Sequence, residues 1–161
     1  MNAPVRQVMV AAAFGVLALA ASASQAIELR GFRGVPWGAG MDSLGASQLA
    51  YTDGDVRCYR RERENMLYGD SPVKDIRYCF HQDQLFMVAL DADVALDTLV
   101  QEFAATYGPP DWRVPAKTTW GDRSTRARVE MVAPAEGGAS MLMDSNEYEP
   151  PAKTRATAAY R

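Results

Sequence analysis

The sequence predicts an α+β fold in which an antiparallel sheet has two helices packed on it. The first observation is a stripe of apolar residues at a helical period between Leu96 and Tyr107. The second is the alternation of apolar and polar residues at 76–80 and 127–131, which is typical of half-buried strands. The third is the set of Gly, Pro and Asp clusters that separate these segments as turns.

Six apolar residues define the predicted central helix, because they recur at intervals of three or four positions. Asp93 is the predicted N-cap, since its carboxylate can accept hydrogen bonds from the free N–H groups of the first turn. Gly108 can adopt the left-handed conformation that ends a helix, and Pro109 and Pro110 cannot continue one. The stripe consists of Leu96, Leu99, Val100, Phe103, Ala104 and Tyr107.

A β-hairpin is predicted just before this helix, with Gln82 and Asp83 at the centre of its turn. That register places Phe80 opposite Leu85 and Tyr78 opposite Met87. The apolar side chains of this hairpin then form the sheet face that the helix covers. Burial of each of these side chains contributes roughly 1.5–3 kcal/mol, so this unit is expected to dominate the core.

With the remaining segments, the predicted order of elements is one helix, three strands, a second helix and three more strands. One interpretation of this order is a degenerate tandem repeat of an α-β-β-β unit. Gly45 weakens the first helix, because glycine has a low helix propensity. The segments are an edge strand at 27–32, a helix at 41–49, and strands at 56–64, 73–81, 117–120, 126–132 and 139–144.

The first 26 residues have the pattern of a secretory signal peptide: Arg6, then an uncharged and mostly apolar run, then Ser24-Gln25-Ala26. A transmembrane anchor is the alternative, but a spanning helix needs about 20 apolar residues and this run is shorter. We therefore expect a signal peptide at 1–26, a single α+β domain at 27–145 and a flexible C-terminal tail at 146–161, with no transmembrane span in the mature chain. The net charge of −3 also argues against nonspecific nucleic-acid binding.

Cys58 and Cys79 are the two cysteines of the chain, and an exported protein favours a disulfide between them. If the strands at 56–64 and 73–81 pair around Tyr68-Gly69, these cysteines lie directly opposite each other. Two reduced, partly buried thiols are the alternative. Their spacing is not the Cys-x-x-Cys of a redox enzyme, so a structural role is predicted.

No pattern in the sequence indicates catalysis, a metal site or a cofactor. His81 is the single histidine, and no Gly-x-Ser-x-Gly motif accompanies it. The cysteines, the histidine and the carboxylates do not follow the spacing of metal ligands. We therefore predict that the chain is not an enzyme and binds no cofactor.

A local cluster of four arginines, together with two tryptophans elsewhere in the sequence, is the candidate partner surface. An alternative for the arginines is a charged edge strand that resists aggregation, and for the tryptophans a place in the core. The residues are Arg57, Arg60, Arg61, Arg63, Trp37 and Trp112.

The run F-R-G-V-P-W-G at residues 32–38 resembles the mature start of small exported bacterial proteins of uncharacterised function. The hairpin at 78–85 and the helix that closes on Tyr107-Gly108-Pro109 resemble them as well. The helix-plus-three-strand unit is also similar in outline to the small lipoproteins of the outer-membrane barrel assembly machine. No cysteine lies directly after the apolar run, which departs from the lipid-bearing Cys of those lipoproteins. These motifs are structural, so the resemblance transfers no functional residue.

Together these patterns predict a periplasmic or secreted, non-enzymatic binding or accessory module whose partner is another protein of the cell envelope. The alternative is a secreted protein inhibitor of a hydrolase, because a small disulfide-bonded α+β scaffold can present aromatic loops to an enzyme cleft.

Overall fold

The computed structural model describes residues 29–148 and Pro150. The predicted signal peptide and residues 151–161 of the predicted tail lie outside the described residues. The strands are β1 Gly31–Phe32, β2 Val35–Pro36, β3 Ser47–Asp53, β4 Val56–Arg61, β5 Leu67–Tyr68, β6 Ser71–His81, β7 Gln84–Ala92, β8 Trp112–Val114, β9 Lys117–Trp120, β10 Ala127–Val132 and β11 Ala139–Ser145, and the α-helix is α1 Leu96–Tyr107.

The strands form one large antiparallel sheet with the spatial order β3-β4-β6-β7-β11-β10-β9-β8, and β5 adds to the end of β6. Two four-stranded meanders, one on each side of α1 in the sequence, meet where β7 pairs with β11. The strands β1 and β2 form a separate small hairpin. Strands β6, β7 and β11 therefore lie at the centre of the sheet.

The predicted fold with two helices on a sheet is wrong, because the chain is mostly antiparallel sheet with α1 as its single α-helix in the described range. Where the first helix was predicted, residues Met41–Leu44 form one turn of 3-10 helix. Gly45 ends that turn with φ 69°, and the following residues form the edge strand β3. β8 adds a fourth strand to the second half of the sheet. The tandem α-β-β-β repeat is therefore wrong as well.

The amphipathic helix α1 lies where the apolar stripe predicted it, and it packs over β6, β10 and β11. Phe103 is fully buried against Trp120, with ring centroids 4.7 Å apart. Gly108 follows the helix with φ 83° and accepts a hydrogen bond from Trp120 Nε1 at 2.9 Å. Asp93 is not the N-cap: Ala95 occupies that position, and the Asp93 carboxylate pairs with Lys74 at 3.0 Å.

The β6–β7 hairpin has the predicted turn, since Gln82 and Asp83 have φ of 50° and 61° and Phe80 lies opposite Leu85. The predicted pairing of Tyr78 with Met87 is wrong. The register shifts between Cys79 and Phe80, so that Tyr78 lies opposite Val88. Such a bulge adds one residue to one strand and changes which face the side chains occupy.

The β1–β2 hairpin closes one end of the core. Trp37 is buried, and its Nε1 donates a hydrogen bond to the Leu29 carbonyl at 2.7 Å. Gly38 N donates to Leu85 O at 2.8 Å, which ties the segment after β2 to the start of β7. Gly31 must remain glycine, because a Cβ there would lie 2.1 Å from the Val35 carbonyl oxygen. The conspicuous run at residues 32–38 therefore has a structural role.

Candidate ligand groove on the polar sheet face

The sheet has two different faces. One face packs against α1 and the β1–β2 hairpin and carries most of the apolar core. The opposite face, called here the polar face, carries two rows of side chains that run across the strands from β6 to β8. Within each row, the residues on neighbouring strands lie directly opposite each other. The central row is Arg77, Ala89, Leu142, Glu130, Thr119 and Trp112, and the outer row is Asp75, Asp91, Ser140, Val132, Lys117 and Val114.

A groove of about 420 Å³ lies on this face over strands β6, β7, β11 and β10. The groove exists because the small side chains of Ala89 and Ser140 lie between the longer side chains of Arg77 and Glu130. Leu142 and Val132 make the floor partly apolar. Pro134 and Glu136, from the connection between β10 and β11, form one wall.

Arg77 organises the β6 side of the groove. Its Nη2 donates to Asp91 Oδ2 at 2.6 Å, and its Nε lies 3.4 Å from Asp75 Oδ2. Ser140 Oγ donates to the other oxygen of Asp91, also at 2.6 Å. These contacts span three adjacent strands, so the polar groups of the floor are held in fixed positions.

Asp75 is further held by Arg60, whose Nε and Nη2 donate to its two oxygens at 2.7 and 2.9 Å. Burial alone would raise the pKa of Asp75. The hydrogen bond from Arg60 and the charges of Arg60 and Arg77 outweigh burial and lower this pKa below its usual value. Asp75 is therefore ionised at neutral pH, and it fixes both arginines.

The opposite side of the groove is acidic. Glu130 forms an ion pair with Lys117 across β10 and β9, with Nζ and Oε2 2.6 Å apart. Glu136 is exposed in the β10–β11 connection. Further along the same face, Arg128 pairs with the buried carboxylate of Asp144. Lys117 and Arg128 offset Glu130 and Asp144, so a cationic group that enters the groove meets the exposed carboxylate of Glu136 on this side.

Two large apolar side chains extend the same face beyond the groove. Trp112 ends the central row and is 50% exposed, and Val114 ends the outer row and is 38% exposed. Both belong to the edge strand β8, two strands away from β10. An apolar pair at a sheet edge, next to a polar groove, is a typical feature of interaction surfaces.

The chemistry of the groove suits binding. Ser140 has a carboxylate partner in Asp91, but no histidine lines the groove to act as a base between them. Within residues 29–148, no group of His, Cys, Asp and Glu side chains could hold a metal ion. The predicted absence of catalysis stays a prediction.

The structure separates the four arginines of the predicted partner surface. Arg60 contacts the groove network through Asp75, whereas Arg57 lines a cleft near the β3–β4 turn. Arg61 lies over the Tyr78 ring, with its Cζ 5.1 Å from the centroid, and pairs with Glu64. Arg63 is exposed in the turn after β4.

The two tryptophans also have different environments. Trp112 is exposed on the polar face, as a partner surface requires. Trp37 is only 7% exposed, so placing it on that surface was wrong. Its indole packs in the core and its N–H is satisfied by Leu29, as buried tryptophans require.

Glu64 is the centre of a second charged cluster, which contacts the β1–β2 hairpin through Arg33. It accepts hydrogen bonds from Tyr78 Oη at 2.7 Å and from Arg33 Nη1 at 2.9 Å. Burial alone would raise the pKa of Glu64, but these hydrogen bonds and the charges of Arg33 and Arg61 lower it. Burial and the neighbouring Glu64 raise the pKa of Tyr78. Arg33 also donates to the Asn65 and Leu67 carbonyls, so this cluster fastens the hairpin to the sheet.

The predicted disulfide between Cys58 and Cys79 is confirmed. The two residues lie directly opposite each other on β4 and β6, with their Cα atoms 4.0 Å apart. Both are fully buried and pack with Val56, Phe86 and Met87 on the polar-face side of the sheet. The bridge therefore fixes the strand pair that carries Arg60 and Arg77.

No family model matches the chain, and no curated protein or solved structure matches it either. The resemblance to small exported bacterial proteins stays a prediction. In the described part of the chain, no helix has both the length and the apolar character needed to cross a membrane. The disulfide is compatible with an oxidising compartment outside the cytoplasm.

Proposed function

We propose that the chain is an exported, non-enzymatic binding module whose groove on the polar face receives a basic side chain of a partner polypeptide. The observation that carries this proposal is the groove itself, in which a partly apolar floor leads to a wall that carries the Glu136 carboxylate. The sequence pattern of a signal peptide and the disulfide support the exported location.

A lysine or arginine side chain fits this arrangement because it combines an apolar stem with a charged head. The stem can lie on Leu142 and Val132, and the head can reach Glu130 and Glu136. Arg77 is held by two aspartates and Glu130 by Lys117, so the exposed Glu136 carboxylate is the charge at the groove that remains to attract a cation. The net charge of −3 favours the approach of such a ligand.

The exposed apolar pair on β8 extends the proposed surface. Trp112 lies two strands from Glu130 in the same lateral row, which corresponds to about 10 Å. A peptide in the polyproline II conformation has three residues per turn and advances about 3.1 Å per residue, so side chains three positions apart point the same way and can contact the groove and Trp112 together. The preferred ligand therefore has an apolar residue and a basic residue three positions apart.

Binding of capped peptides to the mature protein, measured by isothermal titration calorimetry, tests this proposal. The probe Gly-Ser-Leu-Gly-Ser-Lys-Gly-Ser should bind at least about tenfold more tightly than the same peptide with norleucine in place of lysine. Glu136→Gln should remove most of that preference. The control Glu62→Gln changes an exposed carboxylate outside the groove and should leave it intact.

Equal affinity for the lysine and norleucine peptides, or tighter binding of a glutamate peptide, would contradict a cation-binding groove. Trp112→Ala should weaken both peptides to the same extent, because it removes the apolar contact and no charge. Unchanged binding in that variant would limit the site to the groove alone. Inhibition of an envelope hydrolase by the protein, unaffected by Glu136→Gln, would instead favour the inhibitor alternative.

N-terminal sequencing of protein recovered from the periplasm or the medium tests the proposed export. The expected first residue is Ile27, since Ala26 ends the predicted cleavage motif. Recovery of the chain in the membrane fraction with Met1 retained would contradict this proposal.

A further inference from the structure

A second cleft, of about 580 Å³, lies on the opposite face of the sheet from the groove. Helix α1 packs over β6, β10 and β11 on this face, whereas the cleft lies over β4 and the β3–β4 turn. The turn between β6 and β7 and the side chain of Met41 close its other sides. This site is independent of the groove and of the function proposed for it.

The floor of the cleft is aromatic. Tyr59 and Phe80 line it, with ring centroids 5.9 Å apart and planes at 78° to each other. Phe80 is buried, whereas Tyr59 is half-buried and keeps part of its surface accessible. A ligand can therefore contact the Tyr59 ring without disturbing the core.

The rim of the cleft is polar and carries both charges. The exposed guanidinium of Arg57 has no ion pair with any residue in the described ranges, so its donors are available. Asp55 and Gln82 supply further acceptors and donors. Asp83 is already engaged, because its Oδ1 accepts a hydrogen bond from Met41 N at 3.0 Å.

We propose that this cleft binds a neutral saccharide of one or two sugar rings. The C–H face of a sugar ring packs on an aromatic side chain, which Tyr59 offers at the floor. Each hydroxyl group both donates and accepts hydrogen bonds, so a rim with Arg57, Asp55 and Gln82 can satisfy several of them. A strongly charged ligand is disfavoured, because Arg57 would repel a cation and Asp55 would repel an anion.

Chemical-shift changes of the ¹⁵N-labelled mature protein during titration with maltose, cellobiose and N,N′-diacetylchitobiose test the proposal. At least one of these probes should shift the amides of Tyr59 and Gln82 with a dissociation constant in the millimolar range. Tyr59→Leu keeps an apolar side chain at the floor but removes the ring, and it should weaken binding about tenfold. Arg57→Gln should weaken it less. Arg63→Gln is the matched control from the same segment and should have no effect.

Benzoate and benzylamine are the charged probes that oppose the proposal. Tighter binding of either one than of every saccharide would overturn the assignment to a neutral ligand. The absence of saccharide-induced shifts in the cleft, or shifts confined to the groove, would overturn it as well. Tyr59→Leu must retain the amide dispersion of the native protein. If it does not, Arg57→Gln, which changes an exposed side chain, supplies the decisive comparison.

Discussion

Replacement of both Cys58 and Cys79 by alanine should lower the free energy of unfolding by about 3–4 kcal/mol. The disulfide joins residues 21 positions apart, and the chain-entropy model gives about 3 kcal/mol for a loop of that length. Both side chains are fully buried beside Phe86 and Met87, so loss of the sulfur atoms adds a smaller packing cost. This is a large part of the stability of a typical domain.

Guanidinium-induced unfolding of the mature protein, with and without reductant, measures this loss. Reductant should lower the midpoint of the wild-type protein towards that of the double variant and leave the variant unchanged. The dependence of the unfolding free energy on denaturant should become steeper in the variant, because its denatured state is less compact. A wild-type midpoint that is insensitive to reductant under fully reducing conditions would refute the reasoning, and so would equal stability of the two proteins.

Two further predictions concern the core and the second charged cluster. Phe103→Ala should cost about 3–5 kcal/mol in denaturant unfolding, because its ring is fully buried against Trp120, whereas the exposed Gln101→Ala should cost less than about 0.5 kcal/mol. The reverse ranking would mean that α1 buries a different face. The pKa of Glu64 is lower in the folded protein than in the unfolded chain, so this group stabilises the fold at pH values above its unfolded-state pKa. That contribution should disappear as the pH falls through the lower, folded-state pKa. Tyr78→Phe should reduce this acid-dependent loss in melting curves recorded from neutral to strongly acidic pH, and an unchanged pH dependence would contradict the role of their hydrogen bond.

The sequence predicts those parts of the fold that depend on local pattern. Helix α1 has an apolar stripe, a glycine stop and two prolines within one continuous segment, so its position follows from nearby residues. The pairing of Cys58 with Cys79 follows from a turn between two alternating strands. In both cases, residues close in sequence determine which side chains meet.

The predictions failed where a local pattern had two solutions. The predicted helix at 41–49 included residues 47–49, but these residues belong to the edge strand β3, and pairing with β4 selects the strand. The bulge between Cys79 and Phe80 leaves no composition signal, yet it changes the partner of Tyr78. The N-cap is Ala95 rather than Asp93, and the Asp93 carboxylate pairs with Lys74 instead.

The groove could not be assembled from the sequence, because its residues come from separate strands. Asp91 and Ser140 are 49 positions apart in the chain but share a hydrogen bond. One signal was present: Asp91 is the single charged residue of the otherwise apolar strand β7, and Arg77 lies on the neighbouring strand β6 at the centre of the sheet. A charged side chain on a central strand needs a partner on the neighbouring strand, so such pairs identify a polar face before the structure is known.

The arrangement of that face favours a binding role over a merely solvated surface. A solvated sheet face needs only independent polar side chains, and isolated surface ion pairs add little stability. Here Asp75, Asp91 and Ser140 instead fix Arg77 through contacts across three strands, and small side chains lie between the longer ones. Fixing long side chains costs conformational entropy on folding, so a ligand that binds to a site already ordered does not incur that cost again. The groove therefore has the fixed polar groups and the shape of a ligand site, whereas the opposite face uses its apolar area to hold α1.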